Sequence, residues 1–86
     1  MTLSNELRRT IEELVMRRLN EVKERVETLG FVNSIIEELG KMQVRLSEDE
    51  EAEARAYVVD VLWSLSKRGV VSMDDDLLHF TVRARS

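Results

Sequence analysis

Residues 47–71, SEDEEAEARAYVVDVLWSLSKRGVV, decide the fold. The segment opens as a capping box, in which Ser47 accepts from the third helical amide while Glu50 reaches back to the amide of Ser47. Glu48, Asp49 and Glu51 place negative charge at the positive end of the helix dipole, and Lys67 and Arg68 place positive charge at the other end. Gly69 supplies a residue that takes the left-handed backbone closing a helix. The expectation is a helix from Glu48 to about Arg68.

On a helical wheel this segment carries two apolar faces. Ala54, Val58, Val61, Leu62 and Leu65 form the stripe that a core would bury. Ala52, Ala56, Val59 and Trp63 form a second stripe, roughly 100–140° away. Three covers for the second stripe stay open: the chain's own N-terminal helix, a second copy of the chain, or a different protein. A lone tryptophan among small residues suits an interface anchor in the last two cases.

Beyond the helix, Val70–Met73 and Leu77–Ala84 read as two strands around Asp74-Asp75-Asp76. Leu78, Phe80 and Val82 alternate toward a core, leaving His79, Thr81 and Arg83 outside. Before the helix, Met42–Leu46 alternates apolar and polar, which suits a short strand or an extended link. A shorter helix is expected from about Val32 to Gly40, with Val32, Ile35, Ile36 and Leu39 on one side and Asn33 or Ser34 as cap.

From Asn5 to Leu29, apolar residues recur every three or four positions: Leu7, Ile11, Leu14, Val15, Leu19, Val22, Val26 and Leu29. With Ser4 as N-cap and Gly30 as terminator, this reads as one long helix over 4–29, about 37 Å at 1.5 Å per residue. From Val15 onward the steps alternate four and three, the seam of a coiled coil. That pattern fits either a helix folded across its own domain or a homodimer joined through Val15, Leu19, Val22 and Val26, with Val59 and Trp63 near the joint.

Three helices followed by a hairpin resemble a winged helix-turn-helix domain. The residues that carry the resemblance are Val58, Leu62, Leu65, Gly69, Val70 and Val71, a V-x3-L-x2-L-x3-G-V-V pattern at the end of the third helix and the entry to the wing. The likeness covers residues 31–84. It implies a mostly α fold with a small β-hairpin, a winged-helix core over 31–86 behind the long helix, and duplex-DNA binding through the third helix.

The charges oppose that binding mode. The third helix starts with Glu48, Asp49, Glu50, Glu51 and Glu53, and the hairpin tip carries three aspartates, all where phosphates would lie. The chain as a whole has a net charge of -4, the wrong sign for a protein that works by neutralising phosphate. The link from Lys41 to Ser47 is also longer than the standard turn. Phosphate contacts, if made, would fall to Arg8, Arg9, Arg17, Arg18, Arg55, Arg83 and Arg85. Six acids interleave the six basic residues of the first segment, so the alternative is a salt-bridged solvent face.

The remaining chemistry is sparse. The 86 residues, read as a single domain, contain no cysteine and one histidine, so disulfides, thiol catalysis and thiolate metal sites are excluded. The triple aspartate lacks the glycine and distal glutamate of a calcium loop. His79 has no partner of the kind a catalytic base needs. Glu12-Glu13, Glu37-Glu38 and Glu50-Glu51 read as solvated faces and caps. No apolar run nears the roughly 18 residues that span a bilayer, and no secretory h-region is present. The expectation is a cytoplasmic, non-enzymatic interaction module without cofactor or metal, homodimeric or bound to another protein, acting as an adaptor or accessory subunit. A DNA-binding regulator is the alternative. Charged residues at 35% and the absence of cysteine fit a thermophilic source.

Overall fold

The computed structural model describes residues 3–76 and 78–83. In chain order the elements are α1 (Asn5–Glu21), β1 (Val26–Glu27), α2 (Thr28–Lys41), α3 (Glu48–Lys67), β2 (Val71–Met73) and β3 (His79–Val82). The protein is therefore mostly helical, with a small antiparallel sheet of strand order β1-β3-β2. Val26 lies opposite Phe80, and Val71, Ser72 and Met73 lie opposite Val82, Thr81 and Phe80.

Two helices begin as their sequences dictate. The Ser4 hydroxyl accepts from the Leu7 amide, and Ser47 and Glu50 complete the capping box at the start of α3. At the end of α3, Gly69 takes a φ of 80°. Its amide donates to the Ser66 carbonyl and that of Val70 to the Leu65 carbonyl, which satisfies the last turn. At the end of α2 the same pair of bonds is made by Gln43 to Gly40 and Val44 to Leu39. There a glutamine, not a glycine, occupies the left-handed position, at φ 63°. The stretch after it, expected as strand or link, is a link.

The long N-terminal helix is corrected. It ends at Glu21, Val22 turns extended, and Val26 and Glu27 leave the helical path to pair with β3. A helix over 4–29 would outrun a molecule measuring 32 × 24 × 20 Å. Val22, Val26 and Leu29 continue the heptad spacing by coincidence: Val22 and Val26 are half-buried in the link and the edge strand, and Leu29 stands exposed in the first turn of α2. Gly30 is no terminator; it lies within the first turn of α2, which starts at Thr28 with Glu27 at its N-cap. Asn33 and Ser34 do not cap. The Asn33 amide oxygen accepts from Arg55, and the Ser34 hydroxyl donates to the Phe31 carbonyl.

The core gathers one face of each helix against the sheet. Ile11, Val15, Ile35, Leu39, Ala54, Val58, Leu62 and Phe80 are wholly buried. Phe31 meets Phe80 edge to face, with ring centroids 5.3 Å apart and planes at 85°. Val15 and Leu19, expected at a dimer seam, lie in this core, which leaves them nothing to offer a second chain. Val22 and Val26 are half-buried. No buried polar residue interrupts the apolar packing among the described residues.

Candidate functional site

Helix α3 presents its first apolar stripe to the core and its second to solvent. Helix α1 packs along the opposite flank of α3. There the Tyr57 hydroxyl donates to the Glu12 carboxylate, and the Arg8 guanidinium stacks 5.7 Å above the Tyr57 ring. The phenol is held above its usual ionisation range by that hydrogen bond first, and then by desolvation. With α1 committed to this flank, Ala52 and Ala56 are exposed, Val59 is half-buried and Trp63 keeps 40% of its surface in solvent. The chain's own N-terminal helix is thus not the cover of the second stripe.

Beside this stripe runs an apolar groove of about 410 Å³. Leu29 and Val32 of α2 form one wall, Ala56 and Val59 of α3 the other, and Leu78 closes the end nearest the sheet. Leu29 and Leu78 are 64% and 61% exposed, a large cost in water for two leucines on adjacent elements. Leu78 was expected to turn inward. Instead β3 begins one residue later, and the Leu78 carbonyl accepts from the Thr28 amide while its side chain stays outside. Phe80 and Val82 keep the expected alternation, buried and half-buried. Leu77, Ala84 and Arg85 lie outside the described residues.

On the polar rim of the groove, Arg55 is already engaged. Arg55 donates from Nε to Glu51 at 3.3 Å and from an Nη nitrogen to Asn33 at 2.6 Å. The Asn33 contact ties α3 to α2, and the two together lower the reach of Arg55 toward any phosphate. The other candidate phosphate contacts do not converge. Arg8 is half-buried against Tyr57, and Arg18 pairs with Glu21 at 3.7 Å. Around α1, Arg17 stands roughly 80° from Arg9 and Arg18 roughly 180° from it, given 3.6 residues per turn. Arg83 follows β3, exposed, at the far end of the sheet from Leu78.

The hairpin tip is a second polar cluster. One ligand atom each from Asp74, Asp76 and His79 falls within 4.8 Å of the others. Arg25 already answers this charge, with Nε 2.5 Å from Asp74 and Nη 3.6 Å from Asp76. The Asp76 carboxyl is held below its ordinary range by the Leu78 amide first, and further by His79 and Arg25. The arrangement is that of a braced turn.

Sequence reasoning found α3's outer stripe but missed the groove. Its walls come from elements 27–32 and 78–79, which only the pairing of β1 with β3 brings alongside α3. No described helix is long and apolar enough to cross a membrane. In comparisons with known proteins, the chain matches no family model, no curated protein and no solved structure.

Proposed function

We propose that the chain is a non-enzymatic protein-interaction module of winged-helix type that works as a homodimer and serves as an adaptor or accessory subunit. The observation that carries this reading is the open apolar face made by Ala52, Ala56, Val59 and Trp63 together with Leu29 and Leu78. Partner proteins cover such surfaces, whereas base edges need hydrogen-bonding groups, of which these side chains offer only the Trp63 indole N–H. The element order, a strand between the first two helices and a hairpin after the third, supports the winged-helix type.

The second reading is a winged helix-turn-helix DNA-binding protein. The same element order favours it, as do Arg9, Arg17 and Arg83, which are exposed and hold no ion pair among the described residues. Against it stand Glu48, Asp49, Glu50 and Glu51 at the start of α3 and the aspartates of the hairpin tip. The discriminating experiment is fluorescence anisotropy of labelled duplex DNA from about 20 to about 200 mM salt. We expect no binding at micromolar protein. Micromolar binding that weakens steeply with salt would replace the interaction reading with the DNA reading.

A further inference from the structure

We propose that the outer stripe of α3 docks against the same stripe of a second chain, with the two α3 helices antiparallel. This inference rests on the interaction reading above and gives its homodimer a surface and a register. Ala52, Ala56, Val59 and Trp63 follow one another in steps of four, three and four, a spacing that is the same in both directions. Small residues occupy the first half and large ones the second. Reversal of one helix therefore sets Ala52 against the partner's Trp63 and Ala56 against the partner's Val59, a small side chain facing a large one at every level. A parallel pairing would set tryptophan against tryptophan and alanine against alanine, crowded at one end and void at the other.

The charges that flank the stripe select the same arrangement. Asp49 and Lys67 are both exposed and hold no ion pair among the described residues. Five turns of helix, about 3.6 residues each, separate them, so both stand on the same flank of the stripe. In an antiparallel pair with a two-fold axis between Ala56 and Val59, Asp49 meets the partner's Lys67 at one end and Lys67 meets the partner's Asp49 at the other. The parallel alternative puts the two Asp49 side chains on opposite flanks of the seam, and the two Lys67 likewise, so Asp49 meets no lysine.

The groove fits this partner. A helical tryptophan leans toward the N-terminus of its own helix, so the partner's Trp63 inclines from the level of Ala52 toward that of Ala56. Ala56 lines the groove whose other walls are Leu29, Val32, Val59 and Leu78. The indole covers that opening and shields the two exposed leucines.

The test is sedimentation velocity over roughly 1–500 µM, a range set by the modest area two helix faces bury, with the emission of the chain's single tryptophan read on the same dilutions. A concentration-dependent dimer with blue-shifted Trp63 emission is expected. Asp49→Lys and Lys67→Asp each create two like-charge contacts and should weaken the dimer roughly 10- to 30-fold at low salt. The double variant Asp49→Lys/Lys67→Asp should restore it. Ala56→Glu, at an exposed position, should leave a monomer that melts as the dilute, monomeric parent does. A dimer indifferent to Ala56→Glu and to both charge reversals would overturn this pairing while the interaction reading stands on another surface. A monomer at every concentration would overturn the pairing and, with it, the homodimer in the interaction reading. If that monomer also binds duplex DNA, the interaction reading falls with it.

Discussion

Arg25 and Asp74 stand 49 positions apart in the chain, yet the Arg25 Nε lies 2.5 Å from the Asp74 carboxylate. The first residue belongs to the link between α1 and β1, the second to the turn between β2 and β3. Their contact clamps the start of the two-residue strand β1 to the tip of the hairpin that it joins. Arg25 also reaches Asp76, at 3.6 Å. The clamp thus offsets two of the three aspartates that would otherwise repel one another across a tight turn.

Replacement of Arg25 by alanine should therefore loosen the hairpin more than it destabilises the whole. Both partners are partly exposed, so the expected loss is modest, about 0.5–1 kcal/mol in urea denaturation. Faster amide exchange at Asp74, whose N–H donates to the His79 carbonyl, should accompany it. Unchanged exchange there would show that the turn holds itself.

Acid should act on the same turn through Asp76. Its folded carboxyl sits below the ordinary value of 3.8, chiefly because it accepts from the Leu78 amide. A depressed folded pKa stabilises the protein above the unfolded value, and that contribution disappears as pH falls through the folded value. Asp76→Asn should accordingly be less stable than the parent at about pH 6, and the gap should narrow as pH falls below 3.8. A gap of constant size across that window would show that charge on Asp76 contributes nothing.

The two helix ends closed by left-handed residues predict opposite responses. At Gly69, φ 80°, an added Cβ meets nothing within 4 Å, so only the backbone conformation opposes it. Gly69→Ala should cost about 1–2 kcal/mol. Gln43, φ 63°, already carries that penalty. Gln43→Gly should raise stability by about 0.5–1 kcal/mol, and thermal melts of the two variants should move in opposite directions.

Tyr57 is the chain's single tyrosine, so its ionisation is directly visible in the ultraviolet. The phenol should titrate above 10.0, held up first by its hydrogen bond to Glu12. A raised folded pKa contributes stability that is complete below the unfolded value and is lost as pH rises through the folded one. Glu12→Gln should bring the titration down toward the ordinary value. If it does not, the α1–α3 contact at Tyr57 is looser than the structure has it.

The elements that could be read in the sequence are those whose determinants are local. Ser47 and Glu50, three residues apart, define the start of α3, and Leu65, Gly69 and Val70 define its end. The break after Glu21 has no such local mark. Val22, Val26 and Leu29 keep the helical spacing, and β1 exists because Phe80 and His79 offer it a ladder from the far end of the chain. The same non-local pairing escaped notice at Leu78, whose place in an alternating run points inward while the real strand starts one residue later. The outer stripe of α3 was legible as a surface, since Trp63 and Val59 share a face by spacing alone. What leaves it uncovered was not, because that depends on α1 packing along Tyr57.

The order β1-β3-β2 has a consequence for how the protein behaves at high concentration. β3 carries Phe80 and the longest ladder, and it has a neighbour on both sides. The strands left at the rims are two and three residues long, and the aspartates of the turn follow directly on the second. Such stubs are too short to template a passing chain. Growth of fibrils by strand addition is disfavoured at both rims.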